Sequence, residues 1–274
     1  MSEKMIPKKD YKKIVVLTGA GISAESGITT FRDSNGLWEQ YRMEEVATPE
    51  AYIRDPQRVW KFYSMRRLQA AGAGPNKAHE ALVELAEVKK GHVHLITQNV
   101  DVLHQRADQK EVLPPLCMHG SLNESRCTNC GTVYFDDHAY FDLKGNYAPQ
   151  ETVLCNQGQR ASTQYLHHYK LNYKDFLPLS PCCNTPIRPN IVWFGEIPFH
   201  MPKIDNLLKD ADLFVSIGTS GQVYPAAGFL QMAKSAGAYT VCINKEEIPQ
   251  SRYIDLFIEG PATVKVPEFF RSLT

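Results

Sequence analysis

Ile14-Val-Val-Leu-Thr18 is a short apolar, β-branched run that stops at Gly19-Ala-Gly21, and it reads as a buried parallel strand feeding a tight turn. Residues 92–97, 213–217, 239–243 and 255–258 have the same character, each run bounded by polar, Gly or Asn residues. Between them, residues 49–70, 76–88 and 224–236 carry apolar side chains at three- and four-residue spacing, which predicts helices with one buried face. Thr48 is the expected N-cap of the first, with Pro49 an early helical residue. Strands alternating with helices imply an α/β fold, a Rossmann-like doubly wound parallel sheet whose ligands collect outside the carboxyl ends of the strands.

The stretch from 121 to 189 breaks this rhythm: it is rich in Tyr, Asn, Asp and Gln and holds Cys127, Cys130, Cys155, Cys182 and Cys183. It is expected to be an inserted small metal-binding module, which leaves the Rossmann-like domain discontinuous, 1–120 and 190–274. Within the insertion, residues 136–174 lack clear periodicity and read as long loops or irregular hairpins. Cys127-x-x-Cys130 is half of a tetrahedral thiolate site. Cys117 and Cys242 read as buried small hydrophobes.

Lys plus Arg and Asp plus Glu number 30 each among the 274 residues, so no broad cationic field exists to hold nucleic acid or an anionic membrane. The first residues, MSEKMIPKKDYKK, are charged rather than apolar, and no run reaches the length of a membrane span. A cytoplasmic monomer with reduced thiols is expected.

Gly19-Ala-Gly21-Ile-Ser-Ala24 fits the G-x-G-x-x-G/A pattern, whose small residues let a backbone approach a pyrophosphate at a helix N-terminus. The chain then continues as a polar loop from Ser26 to Gly36, not as the helix, second strand and ribose-binding acid of a dehydrogenase. The stretch from Gly19 to Arg32 resembles the opening signature of the sirtuins. Thr97-Gln-Asn-Val-Asp101, Met118-His-Gly120, Arg188-Pro-Asn-Ile-Val-Trp-Phe-Gly-Glu196, Gly218-Thr-Ser220 and Val223-Tyr-Pro-Ala226 resemble further blocks of that family, in order. The likeness runs from Ile14 to Pro267 and points to the desuccinylase-type, class III bacterial branch.

The resemblance implies an NAD-dependent protein-lysine deacylase, a deacetylase and desuccinylase or demalonylase that transfers the acyl group to ADP-ribose and releases nicotinamide. Its partners would be acylated-lysine proteins or peptides. His119 would be the catalytic base, a task suited to a near-neutral imidazole, with Asn99 and Asp101 holding the nicotinamide and its carboxamide. The cofactor-binding set would be Gly19, Ala20, Gly21, Ser23, Ala24, Glu25, Phe31, Arg32, Trp38, Gln98, Asn99, Asp101, Gly218, Thr219, Ser220, Asn244, Lys245, Glu246 and Ala262. Phe31 and Arg32 would lie on a loop that closes over NAD and excludes water. Val192, Trp193, Phe194, Gly195 and Glu196 resemble the strand that pairs with the substrate backbone, and Val223 and Tyr224 would also touch the peptide.

Tyr63 and Arg66 stand three apart on a predicted helix, so they share a face. By resemblance, such a pair recognises a carboxylate on the acyl chain, and a guanidinium is well shaped for it. In the metal module the family's second Cys-x-x-Cys is replaced by Ser180-Pro-Cys182-Cys183. Cys183 sits at the fourth-ligand distance, while Ser180 carries a hydroxyl, a poor zinc ligand. Cys155 could supply the missing thiolate, giving Cys127, Cys130, Cys155 and Cys183 around a structural Zn(2+). Cys182, beside Cys183, is less able to reach the same ion but could replace it, and a site without zinc is a third alternative. Mono-ADP-ribosyl transfer and non-catalytic binding of NAD or acylated peptides remain as other functions.

Overall fold

The structure is a computed structural model that describes residues 6–29, 41–135, 170–172 and 177–274. In chain order its strands are β1 (Ile14–Thr18), β2 (Val93–Thr97), β3 (Leu116–Cys117), β4 (Gly120–Cys127), β5 (Val133–Tyr134), β6 (Lys170–Asn172), β7 (Leu177–Leu179), β8 (Ile187–Ile191), β9 (Leu213–Ile217), β10 (Tyr239–Asn244) and β11 (Leu256–Glu259). Six of them form one parallel sheet in the order β11-β10-β9-β1-β2-β3. The chain builds outward from β1 on one side, then returns to its other side with β9. The carboxyl ends of β1 and β9 therefore flank the topological switch point, where such sheets open a crevice.

Every residue of β1 is buried, because both faces of the sheet are covered. Ile14 and Val16 face a core closed by helices Lys77–Val88 and Ala262–Arg271. Val15 and Leu17 face the opposite core, closed by helices Met201–Lys209 and Phe229–Ser235. Burying each such aliphatic side chain stabilises the fold by about 1.5–3 kcal/mol. A third core joins helices Met43–Val46, Pro49–Arg54 and Pro56–Gly72 to the antiparallel sheet β5-β4-β8 through Val59, Trp60, Phe62, Leu122, Ile187 and Trp193. Arg67 is buried in this junction and donates to the Leu122 carbonyl at 2.6 Å and to Ser125 Oγ at 3.0 Å. It holds β4 where that strand's register with β8 shifts.

The helix expected over 49–70 is two helices. Asp55 accepts from the Arg58 N–H at 3.0 Å and Pro56 opens the second, since proline lacks an N–H and biases its predecessor away from helix. Residues 224–236 become a 3-10 turn at Ala226–Gly228 before helix Phe229–Ser235, as Pro225 keeps Tyr224 out of helical geometry. Residues 136–169 and 173–176 of the insertion lie outside the described residues, while β6 pairs antiparallel with β7. Among the described residues no helix is long and apolar enough to cross a membrane.

Candidate active site

Gly19 follows β1 and Gly218 follows β9, so the two glycine turns meet at the switch point. The Gly21 N–H donates to the Gly218 carbonyl at 2.8 Å. A Cβ on Gly21 would stand 2.7 Å from Gly218 Cα, and one on Gly218, whose φ is +59°, would stand 2.5 Å from Ile22 N. The glycines are thus required by backbone lying on backbone, apart from any ligand. The expected helix N-terminus is instead a pair of 3-10 turns, Ala20–Ile22 and Ala24–Ser26. Glu25 accepts from the Thr263 N–H at 3.0 Å, tying this turn to the start of the helix that Ala262 opens.

The loops after β2, β9 and β10 are bonded across the same edge. Gln98 Nε2 donates to Thr219 Oγ1 at 3.1 Å, and Asn244 Nδ2 donates to the Thr219 carbonyl at 3.0 Å. Ser220 is half-buried there, and Lys245 and Glu246 are exposed. This edge offers hydroxyls, amides and small-residue turns, a donor set suited to a dinucleotide's sugars and phosphates. Phe31, Arg32 and Trp38 lie outside the described residues.

Beyond β2 the chain turns a polar cluster inward. Asn99 is buried, and its Nδ2 donates to Ser23 Oγ at 3.1 Å. Asp101 is buried too, and its Oδ1 accepts from the Leu103 N–H at 3.0 Å. Burial raises the Asp101 carboxyl above its ordinary value, opposed by the Leu103 N–H, the Ser23 hydroxyl and the charges of Arg66 and Arg106. His119 lies between β3 and β4 with Nδ1 3.1 Å from the Gln98 carbonyl oxygen. A carbonyl can only accept, so the proton sits on Nδ1 and Nε2 keeps a bare lone pair. Burial lowers the imidazole below its ordinary value, and the Gln98 bond partly offsets this. The ring can act as a base at neutral pH.

Tyr63 and Arg66 share a face of helix Pro56–Gly72. The Trp193 indole N–H donates to the Tyr63 hydroxyl at 3.0 Å, and burial pushes that phenol up to about 12. Trp193 is held by its own neighbours. Arg188 grips the Glu196 carboxylate at 2.7 and 2.9 Å, Arg126 adds a contact at 3.0 Å, and the Trp193 N–H donates to the same carboxylate at 2.8 Å. The Arg188 guanidinium lies 3.2 Å from the Trp193 ring centre. The expected strand at 192–196 is therefore not formed: β8 stops at Ile191, and the Glu196 clamp with Gly195 at φ +91° folds the segment into a turn. Val192 N–H donates to the His119 carbonyl at 2.9 Å and Phe194 N–H to the Ala47 carbonyl at 3.0 Å. Val223 is half-buried, and Tyr224 is 76% exposed.

The thiols of Cys127, Cys130, Cys182 and Cys183 lie within 4.8 Å of one another. Thiolates around one zinc are about 3.8 Å apart, given Zn–S bonds of about 2.3 Å and a tetrahedron, so the four fit one ion. This corrects the expectation that Cys182 is less able to reach the site. It joins because the turn at 181–183 brings both cysteines to Cys127 and Cys130, while the Cys127 thiol donates to Ser180 Oγ at 3.2 Å. Cys155 lies outside the described residues. Half-buried Cys117 accepts from Gln105 Nε2 at 3.2 Å.

Sequence reasoning passed over His79, His104, Thr18 and Thr97, buried polar groups under the Asn99 cluster. A polar residue ending each of two apolar strands, Thr18 and Thr97, was the available signal.

The Sir2 family model matches residues 19–225. An NAD-dependent protein deacylase of Yersinia pestis is 45% identical over 268 residues, covering 96% of this chain and 84% of the relative. A solved Sir2 homologue in complex with NAD superposes with a TM-score of 0.76 at 35% identity, covering 96% of this chain and 90% of its own. A mutant Sir2 bound to a deacetylated p53 peptide and 3'-O-acetyl ADP-ribose gives a TM-score of 0.71 at 30% identity, covering 96% and 92%.

Proposed function

Because the chain belongs to the Sir2 family, we propose that it is an NAD-dependent protein-lysine deacylase whose catalytic groups are His119, Asn99 and Asp101. It is an enzyme that takes acylated-lysine protein or peptide substrates, binds NAD and moves the acyl group onto ADP-ribose with release of nicotinamide. NAD supplies the sugar carbon at which its own glycosidic bond breaks. Everything else is the task of side chains at the carboxyl edge of the sheet.

The observation that carries the catalytic assignment is the bond from His119 Nδ1 to the Gln98 carbonyl. It fixes the tautomer and leaves Nε2 to take a proton from a ribose hydroxyl, so that the oxygen can attack the acyl-linked carbon. Asn99 and Asp101 offer the donor and acceptor that a carboxamide needs. Thr219, Ser220, Asn244, Lys245, Glu246 and Ala262 would line the adenosine end, with Gly19 to Glu25 at the phosphates. Val192 to Glu196, Val223 and Tyr224 would meet the peptide.

For acyl choice, Tyr63 and Arg66 would read a carboxylate, so that succinyl- and malonyl-lysine would be substrates beside acetyl-lysine. The residues 121–189 form the small module inserted between 1–120 and 190–274, and Cys127, Cys130, Cys182 and Cys183 would hold a structural zinc whose thiolates pin the ends of β4 and β8 together. Mass spectrometry of the lysine-bearing product tests the reaction against ADP-ribosyl transfer. Unmodified lysine with O-acyl-ADP-ribose supports deacylation, and ADP-ribose on the protein refutes it.

A further inference from the structure

Beneath the polar cluster at the end of β2 runs a row of buried groups that deacylation does not use. His104, on helix Leu103–Ala107, places Nε2 2.9 Å from Thr18 Oγ1. The Thr18 hydroxyl donates to Thr97 Oγ1 at 2.9 Å, and Thr97 Oγ1 accepts the Asn99 N–H at 3.0 Å. All four residues are buried. A hydroxyl has one proton, and Thr18 gives its proton to Thr97, so the contact with His104 is made by a proton on Nε2.

A second histidine stands behind the first. The His79 ring lies 4.8 Å from that of His104, and its Nδ1 accepts from the Asn76 N–H at 3.3 Å. The Asn76 side chain donates onward to the Ile22 carbonyl at 2.8 Å and to Ser26 Oγ at 2.9 Å. One histidine is therefore linked through Asn76 to the turn after β1, the other through Thr18 and Thr97 to the Asn99 backbone after β2. Burial keeps both rings neutral, His79 falling to about 4 and His104 well below its ordinary value. A neutral donor costs less to bury here than a charged one, and it imposes one direction on every proton in the row.

We infer that His104 is a positioning residue for the nicotinamide end of the site: through the Thr18 and Thr97 hydroxyls it fixes the Asn99 backbone, and with it the carboxamide aimed at the cofactor. The inference rests on the proposed role of Asn99. A backbone N–H held by a hydroxyl that is itself held cannot drift, and a binding group loses affinity quickly when its geometry loosens.

The test compares Thr18→Val, Thr18→Ser and His104→Leu with Asn99→Ala, reading the inhibition constant for nicotinamide and the KM values for NAD and an acetyl-lysine peptide. Thr18→Val and His104→Leu should each raise the nicotinamide constant and the NAD KM about fivefold to tenfold, the worth of one buried hydrogen bond, with peptide KM within about twofold. Thr18→Ser should keep both constants near those of the unaltered protein. Should His104→Leu fail to fold, the Thr18 pair decides. Unchanged nicotinamide and NAD constants in folded Thr18→Val, or losses shared equally with the peptide, overturn the inference while an impaired Asn99→Ala leaves the reading of Asn99 standing. If Asn99→Ala itself handles nicotinamide normally, that reading falls and the inference falls with it.

Discussion

The Trp193 indole nitrogen lies 3.0 Å from the Tyr63 hydroxyl, with both side chains almost wholly buried at 2% and 1% exposure. An indole N–H can only donate, so Tyr63 accepts and keeps its own proton to give to a ligand. The phenol stays protonated, since burial lifts it to about 12. Trp193 is in turn locked by the Glu196 carboxylate and the Arg188 guanidinium. A donor prepared in this way, beside Arg66 on the same helix face, has chemistry that suits a carboxylate.

Tyr63→Phe combined with Arg66→Met should therefore depress cleavage of a succinyl-lysine peptide far more than that of an acetyl-lysine peptide. Charge-assisted hydrogen bonds contribute about 1.5–3 kcal/mol each, roughly tenfold to a hundredfold apiece, so removing both donors should cost the succinyl peptide about a hundredfold or more beyond the loss for the acetyl peptide. Comparing kcat/KM for the two peptides measures it. Equal losses would remove the carboxylate clamp from the account.

His119→Ala should leave NAD and peptide binding largely intact while reducing turnover by about 10²–10⁴-fold, the usual contribution of a positioned base. Calorimetric titration and steady-state rates read the two halves of that statement. A variant that turns over normally refutes the role of the imidazole.

The pH dependence comes from the same ring. Burial favours the neutral imidazole, so the folded value lies below the ordinary 6.5. As pH falls through that lowered value Nε2 takes up a proton and ceases to be a base, and the rate should drop tenfold per unit below it. A profile of kcat from about pH 5 to 8 should place the acidic limb below the free-histidine range. A limb at or above that range contradicts the assignment.

The cysteine cluster makes a compositional prediction. Purified protein should carry about one zinc per chain, and Cys182→Ser should lose most of it, whereas Cys155→Ser should retain it. Elemental analysis with a thermal melt checks both. Retention in Cys182→Ser with loss in Cys155→Ser would return the fourth position to Cys155.

Where a signal was local and repeated, it was legible. β1 and β9 match their sequence-read limits because both faces of each strand are apolar, and His119, Asn99 and Asp101 stand at motif positions beside a strand end. The break at Asp55-Pro56 was readable from capping chemistry but was masked by apolar spacing that continues through it. What sequence could not supply was long-range pairing: that Gly21 packs on Gly218, that Cys182 turns into the cluster, and that Arg67, adjoining Arg66 in a charged pair, is buried on the Leu122 carbonyl. Each depends on a partner more than 50 residues away, and for the glycines and Arg67 nothing in either neighbourhood announces the other.

The reaction itself is tested most directly by incubating acetyl-, malonyl- and succinyl-lysine peptides with the protein, with and without NAD, and measuring free nicotinamide together with deacylated lysine. Nicotinamide and unmodified lysine appearing in equal amounts, and only when NAD is present, is the predicted result. Acyl loss without NAD, or no nicotinamide from any of the three peptides, would contradict it.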